Sequence, residues 1–590
     1  MKDYCLKNFD TNSKPNLKVG KLVGRFGEFL KGDKWRLGWA MVAVLINSAA
    51  NVATPLIVGQ AIDKFIFDKN WPELAGFGWT LAGIYMVVAV SNYFQTVLMG
   101  RVGQNILYRL RSQVFEKIQS LPLSFFNQNK LGDLISRINS DTDKLNQFFS
   151  QSLNQFMGQA FTLLGIGIFV FYTNSKLSFW MMLPVVGLVG VTYVLSSYMS
   201  KRSRMSLQSL GNLSAEIQES LSYFKVIVLF NRRDFFRENF KKANENNFAM
   251  SIKSGITNNI STPIYDLAWN AGLTLVLVMG IEMIVGGQIT VGLLIAFLAY
   301  TDKFYAPLRQ MAQVWSNTQM AFAGWVRISE ILDLKTDLEI TETSNNLKTK
   351  EDDVLVFDKV KFSYDGEKII LDEVNLDFKK GKTYAMVGPT GGGKSTMAAL
   401  MCRLYDPDSG QIYFEGKDIR NYTGKELSEQ IGFILQEQFI FTGSVGENIV
   451  YGNPNYEIYD KKKLKKELKE DGLEELVERF ENGLDTEITP DTEVISLGQK
   501  QLISFMRAIL RRPKLLVMDE ATANIDTVTE SLLQKIIDKL PVETTKVIIA
   551  HRLNTIKKAD EIYFVNDGEV VSAESLEKSV EMIEKSKRKS

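Results

Sequence analysis

Six long apolar runs dominate the first half of this chain and leave it few ways to fold. They cover residues 37–62, 75–100, 153–172, 177–200, 265–285 and 289–310. Each offers about the 20 residues that an α-helix needs to cross the hydrocarbon core of a bilayer. Buried helices of a large soluble protein would give such runs singly. Their recurrence with few interior charges predicts a domain of six transmembrane helices over residues 37–320.

Lys and Arg collect on one side of these runs. Lys21, Arg25, Lys31, Lys34 and Arg36 precede the first. Arg101, Arg109, Arg111, Lys117, Lys130 and Arg137 lie between the second and third, and Lys201, Arg202, Arg204, Arg232 and Arg233 between the fourth and fifth. The opposite loops are short, with Lys69 in one, Lys176 in another and no cation in "VGGQIT". The positive-inside rule then predicts a multi-pass protein of the cytoplasmic membrane with both termini in the cytoplasm. The N-terminal segment, 1–36, is polar and basic and lacks a cleavable signal pattern. The two inner connections run to about 50 and 60 residues and have helical composition, as in "QNILYRLRSQVFEKIQSL". They predict helices that extend into the cytoplasm and turn back at short crossing helices.

Residues 321–350 are read as the linker, polar towards "TSNNLKTKEDD", and 351–590 as a soluble α/β domain. A net charge of +1 gives no case for nucleic acid as a partner. Two cysteines, Cys5 and Cys402, and a single histidine, His551, are too few for a disulfide framework or a multi-histidine metal site.

The soluble part carries the chemistry. "TYAMVGPTGGGKSTMAAL", 383–400, reads as strand, glycine loop and helix start, and Gly388, Gly393, Lys394 and Ser395 fit the P-loop spacing. Glycines let successive N–H groups converge on phosphate oxygens, and the helix start turns its positive end to the same anion. Pro389 apart, the loop also brings Thr390, Gly391, Gly392 and Thr396 to a bound nucleotide. Lys394 adds a full charge and Ser395 a hydroxyl for Mg²⁺. "PKLLVMDEAT", 513–522, is an apolar strand ending in Asp519 and Glu520. One carboxylate there can hold the Mg²⁺ shell and the next can orient the attacking water, which suits phosphoryl transfer. Alone, the acidic pair would read as surface.

The order of these motifs over 355–570 resembles the nucleotide-binding domain of ABC transporters, and the whole chain resembles an ABC exporter half-transporter. The resemblance implies ATP and Mg²⁺ as cofactors. It implies that Tyr364 stacks on the base and that Gln436 links Mg²⁺ to the membrane contact. It makes Glu520 the catalytic carboxylate, Asp526 the aspartate of the following loop and His551 the histidine at the γ-phosphate. It also implies crossing helices in "FFNQNKLGDLISRI", 125–138, and "LSYFKVIVLFNRRDFF", 221–236.

One motif departs from the family. Its Leu-Ser-Gly-Gly-Gln signature reads Ile495-Ser496-Leu497-Gly498-Gln499 in this chain. Upstream, Thr489-Pro490-Asp491-Thr492 replaces a Gly-Glu-Arg-Gly-like segment. In the family each signature serves the nucleotide held by the other subunit. Leu497 therefore impairs the partner's site, and the resemblance implies a heterodimer with a second, different half-transporter whose signature is intact. A homodimer with a tolerated variant is the alternative.

The cargo is the least legible part. Glu282 is the notable intramembrane charge, with Asp63, Asp266, Asp302 and Lys303 nearer the ends of runs. The resemblance implies export of amphipathic or hydrophobic compounds, with a multidrug pump first and a lipid flippase or an ATP-gated channel as alternatives. A leader-processing peptide exporter is not expected. The charged stretch 460–480 predicts a solvated helix.

Overall fold

The computed structural model describes Tyr4, Leu6 and residues 31–66, 71–335, 352–364, 366, 368–456, 458–489, 495–519, 527–538, 540–549, 556–573, 578 and 581. The chain divides into two compact units. One comprises Phe9–Lys117 and Gly132–Leu332, the other Met1–Asn8, Ile118–Leu131 and Asp333–Ser590.

The first half is helical: α1 (Lys34–Ala61), α2 (Trp71–Gln119), α3 (Leu123–Gln128), α4 (Leu131–Thr173), α5 (Ser175–Ser222), α6 (Phe224–Leu229), α7 (Arg233–Asn259), α8 (Ser261–Val285) and α9 (Val291–Asp333). Among the described residues, six helical stretches are long and apolar enough to cross a membrane. The α2 helix has 49 residues. At 1.5 Å per residue it is about 74 Å long, more than twice a ~30 Å hydrocarbon core, so much of it lies outside the apolar layer. Tight breaks separate the helices on the short-loop side. Asn174 is extended and accepts from the Leu177 N–H at 3.0 Å, capping α5. Gly287 turns the chain between α8 and α9 at φ +68°.

The crossing helices are shorter than the sequence suggests. α3 ends at Gln128 because Asn129 is extended, and α4 has begun by Leu131. α6 spans only six residues, between Tyr223 and Phe230.

Packing in this unit centres on α4, α5, α8 and α9, where Val170, Met181, Val276, Phe297 and Tyr300 are buried together. The Tyr305 hydroxyl donates to the Met181 carbonyl at 2.9 Å. Asp63 accepts from the Gly292 N–H at 2.7 Å, holding the start of α9 against the end of α1. Ion pairs tie α4 to α9 further along. Arg137 is 1% exposed and meets Asp133 at 2.9 Å and Glu330 at 2.8 Å. Arg327 meets the fully buried Asp141 at 3.1 Å. Removing one partner of such a pair strands a buried charge and costs about 3–5 kcal/mol.

The second unit is α/β. Four strands form one sheet, β1 (Asp353–Ser363), β2 (Ile369–Lys379), β4 (Ser409–Phe414) and β5 (Lys417–Asp418), in the order β2-β1-β4-β5 and antiparallel. A second sheet has the order β12-β11-β3-β10-β9-β6, built from β3 (Thr383–Val387), β6 (Ile431–Ile434), β9 (Leu515–Asp519), β10 (Thr545–Ile549), β11 (Glu561–Asn566) and β12 (Glu569–Ala573). It is parallel except for β12, and its central strands β3 and β9 are almost wholly buried, as expected of a sheet covered on both faces. Helix α10 (Lys394–Met401) buries Met397, Ala398, Leu400 and Met401 in a core shared by both sheets.

Beside it lies a helical subdomain. It contains α11 (Gly424–Gln430), α12 (Val445–Val450), α13 (Lys461–Glu470), α14 (Glu474–Val477) and α15 (Leu497–Ile509), and α16 (Thr527–Asp538) follows β9. α13 is the solvated helix expected from its charge, with Asp460 as N-cap and only Leu464 and Leu468 buried. β7 (Gly443–Ser444) and β8 (Glu487–Ile488) form a small antiparallel pair.

The first residues of the chain are bound to this unit. The Tyr4 N–H donates to Gln128 Oε1 at 2.8 Å and the Leu6 N–H to Asn129 Oδ1 at 3.0 Å. Asn129 Nδ2 returns bonds to the Tyr4 carbonyl at 2.9 Å and the Phe125 carbonyl at 2.7 Å. The buried Tyr4 hydroxyl donates to the Lys335 carbonyl at 2.8 Å. Tyr4 and Leu6 thus clasp the loop after α3 and the entry to the α/β domain.

Candidate nucleotide site

Strand register builds the site. Phe564 of β11 lies beside Val387 of β3, Met386 of β3 beside Ile549 of β10, and Ile549 beside Asp519 of β9. The C-terminal ends of three neighbouring parallel strands therefore meet in one row, the position where open α/β sheets bind ligands. β3 leads straight into the glycine loop and α10.

Three loop glycines have backbone that disfavours other residues: Gly388 at φ +151°, Gly391 at +83° and Gly393 at +107°. A Cβ on Gly388 would lie 2.0 Å from the Val565 carbonyl oxygen, and one on Gly392 2.7 Å from the same atom. β11 thus presses on the loop from below. Around Gly391 there is open space, so the loop is crowded on its sheet side and clear at its rim. Lys394 is buried and curls back, its Nζ donating to the Gly388 carbonyl at 3.0 Å and the Pro389 carbonyl at 2.9 Å. It sits inside the loop that it would serve. Thr390 lies on that loop, Ser395 is exposed at the first turn of α10, and Thr396 is buried beneath it.

Tyr364 is 40% exposed, its hydroxyl 3.0 Å from Thr396 Oγ1. Its ring meets Phe362 and Tyr405 edge-on at 5.0 and 5.3 Å. One face is thereby fixed to the loop's helix while the ring keeps open surface for a planar ligand. Tyr405 is a residue that motif reading misses. Burial, chiefly, pushes its phenol above the usual range, and its hydroxyl accepts from Asn127 of α3 at 2.6 Å. Cys402, behind α10, is likewise pushed up by burial and so stays a neutral thiol.

Asp519 ends β9 and is buried, while Gln436 is exposed just after β6. A serine hydroxyl, an amide oxygen and a carboxylate form an all-oxygen donor set of the kind Mg²⁺ takes. Glu520, Asp526 and His551 lie outside the described residues, as do Pro490, Asp491 and Thr492. The neighbouring strands still carry the chain towards them, since β9 ends at Asp519 and β10 at Ile549.

The signature stretch forms a helix start as expected. Ser496 is the N-cap of α15, its hydroxyl accepting from the Gln499 N–H at 3.3 Å while Gln499 Oε1 accepts from the Ser496 N–H at 2.9 Å. Gln499 Nε2 also donates to the Arg479 carbonyl at 2.7 Å. Gly498 follows within the first turn. Leu497 opens the helix with 49% of its surface exposed. Its branched side chain stands at the helix start without a packing role in the core.

Beyond Gln436 is an aromatic-rimmed groove of about 230 Å³. Phe441 and Tyr451 stack at 4.2 Å, and Arg507 lies over both rings while donating to the Asn448 carbonyl at 2.9 Å.

Comparison with known proteins agrees with this geometry. The family described as "ABC transporter transmembrane region" matches residues 37–308, and the family described as "ABC transporter" matches 371–523. The uncharacterized ABC transporter ATP-binding protein YfiC of Bacillus subtilis is 31% identical over 93% of this chain and 90% of its own. An ATP-dependent lipid A-core flippase of Syntrophus aciditrophicus is 29% identical over 91% of this chain and 88% of its own. A fatty acid ABC transporter ATP-binding/permease protein of Mycobacterium bovis is 32% identical over 83% of this chain and 76% of its own.

Proposed function

Because this chain belongs to the ABC transporter family, an ATPase coupled to transport with its membrane region and ATP-binding domain in one polypeptide, we propose that it is one half of an exporter of lipid-like amphiphiles. The observation that carries the reading is the row of strand ends that sets the Lys394 loop beside Asp519 in a chain that also holds six membrane helices. The relatives act on lipid A-core and fatty acids by their names, which favours a lipid-like cargo over the multidrug cargo expected from sequence.

In this reading the N–H groups of Thr390 to Thr396 and the Lys394 ammonium hold the phosphates, and Tyr364 stacks on the base. Ser395, Gln436 and Asp519 would hold Mg²⁺, whose charge offsets that of the phosphates when it is bound. Glu520 orients the attacking water and His551 contacts the γ-phosphate. Catalysis of this kind is positioning and charge neutralisation.

The second half of the exporter is a different half-transporter. Leu497 projects from the helix start that would face the partner's nucleotide, while the described residues that hold this chain's own nucleotide keep the family pattern. The exposed apolar residues Phe224, Leu229 and Phe230 on and beside α6 call for a cover. The nucleotide-binding domain and both termini are cytoplasmic, following the placement of Lys and Arg.

The test is ATPase activity in lipid nanodiscs, for this chain alone and co-expressed with its partner, each with and without Glu520→Gln. We expect the pair to turn over, the lone chain to be silent and Glu520→Gln to abolish turnover. A lone chain as fast as the pair refutes the heterodimer. Nucleotide-gated current in place of lipid translocation refutes the pump.

A further inference from the structure

The apolar runs hide a polar cavity. Its walls are mostly amides from three helices, Asn47 and Asn51 of α1, Gln95 of α2, and Asn154, Gln155 and Gln159 of α4, with two hydroxyls, of Thr162 and Ser48, that donate to Ser48 and to the Gly158 carbonyl respectively. The cavity measures about 210 Å³, larger than the ~150 Å³ that suffices for a benzene ring. No charged side chain lines it among the described residues.

The amides are tied to one another and to α9. Gln95 Nε2 donates to Asn154 Oδ1 at 2.6 Å, and Gln159 Nε2 to Gln310 Oε1 at 2.7 Å. Asn47 Nδ2 donates to Asn92 Oδ1. From behind the wall, Lys303 Nζ donates to Asn51 Oδ1 at 2.7 Å. This occupies the Asn51 oxygen and leaves its NH₂ for other partners. Two acceptors remain without a donor: Gln95 Oε1 and Gln159 Oε1, both buried on side chains more than nine-tenths buried. An unpaired buried acceptor costs about 1–3 kcal/mol, so such oxygens mark a place where a hydrogen-bond donor belongs.

The donor's chemistry follows from the wall. A carboxylate or phosphate only accepts and would face the two unpaired oxygens. An ammonium donates but would share the neighbourhood with Lys303. A hydroxyl donates to the glutamine oxygens and accepts from the Asn51 amide, with no charge to desolvate.

We propose that this amide-lined cavity binds the uncharged, hydroxyl-rich headgroup of a lipid-like amphiphile, a single glycosyl ring or polyol. The proposal rests on the exporter reading and names the part of the cargo that this chain recognises. The acyl chains stay in the surrounding apolar layer.

The test is lipid retention by the full chain, with its partner, measured by native mass spectrometry without nucleotide. The probes are glucosyl-diacylglycerol, phosphatidylcholine and phosphatidic acid with identical acyl chains. The wild type should retain the glycolipid at least about tenfold over phosphatidylcholine, the return on two neutral hydrogen bonds. Gln95→Leu and Gln159→Leu should each cut that preference about fivefold. Equal retention of the three lipids by the wild type overturns the proposal, whether or not the variants fold. So does a preference for phosphatidic acid that Lys303→Gln removes, because it assigns recognition to charge. Displacement of the glycolipid by free glucose overturns the lipid assignment and points to a soluble saccharide. Because no ATP is turned over, failure here is separate from failure of the ATPase reading.

Discussion

The glycine loop should answer to alanine substitution in a graded way that its geometry sets in advance. Gly391 lies at φ +83° in open space, so Gly391→Ala meets only the left-handed backbone penalty. That is about 1–2 kcal/mol, or roughly a fivefold to thirtyfold loss of ATP affinity if the loop keeps its shape only when ligand is bound. Gly388 lies at φ +151°, and its added methyl would stand 2.0 Å from the backbone oxygen of Val565. A backbone atom of a buried central strand cannot move aside as a side-chain tip can. The strain of about 1–3 kcal/mol for that conformation then adds to a displacement of the loop, and affinity should fall by more than about a hundredfold. The assay is titration of a fluorescent ATP analogue into the full chain in nanodiscs, with the unfolding midpoint recorded beside it. Equal effects at the two positions, or a greater loss at Gly391, would refute the argument that β11 sets the loop's shape from below.

Two further outcomes follow from particular contacts. Leu497→Gly removes a half-exposed side chain from the first turn of α15 and should cost folding at most about 1 kcal/mol; in the assembled exporter it should raise nucleotide trapped at the partner's site, and unchanged trapping would show that Leu497 does not limit that site. Asn129→Ala deletes the bonds to Leu6, Tyr4 and Phe125 and should speed hydrogen exchange in residues 1–8 and 118–131 relative to β3 and β9. Unchanged exchange there would mean that the clasp is held by the Gln128 and Lys335 bonds of Tyr4 without Asn129.

The membrane half was legible because its signal is length and apolarity, which survive without neighbours. Six helical stretches long and apolar enough to cross a membrane appear where composition places them, with short breaks at one set of ends and long extensions at the other. The P-loop was legible for a different reason. Gly388, Gly393, Lys394 and Ser395 fall in one short segment, so their spacing fixes their geometry. The crossing helices were placed too long because an amphipathic pattern runs on through Asn129, where only the local extended backbone ends the helix. Tyr405 and the Tyr4 clasp were not legible, since each joins positions remote in sequence, Tyr405 through one hydrogen bond and the clasp through several that no local pattern announces. The amide cavity was missed because charge was the sign sought within the runs. Asn47 and Asn51, four residues apart on one helix face, were the available signal. Glu282, the charge that drew attention, is exposed near the end of α8.

Under the proposed heterodimer, the effect of Leu497 follows from the shape of the helix start it occupies. Leu497 might have unfolded the helix start or merely obstructed it, and these differ in consequence. The capping box is complete: Ser496 and Gln499 satisfy each other's backbone N–H groups, and Gln499 is anchored to Arg479. The Ser496 hydroxyl accepts in that arrangement and so keeps its proton to donate. The first N–H groups of α15 have no partner within the helix and still offer an anion site. What Leu497 adds is bulk on the exposed side of that site, together with the loss of a glycine's freedom to let a phosphate approach closely. The lesion is therefore one of access. A nucleotide opposite this helix would still be attracted by its dipole and held less closely, so the partner's site should bind ATP while losing the tight closure that hydrolysis needs. Under the proposed heterodimer, the exporter would then cycle on the site furnished by Lys394 and Asp519, with the partner's site held as a slow clamp.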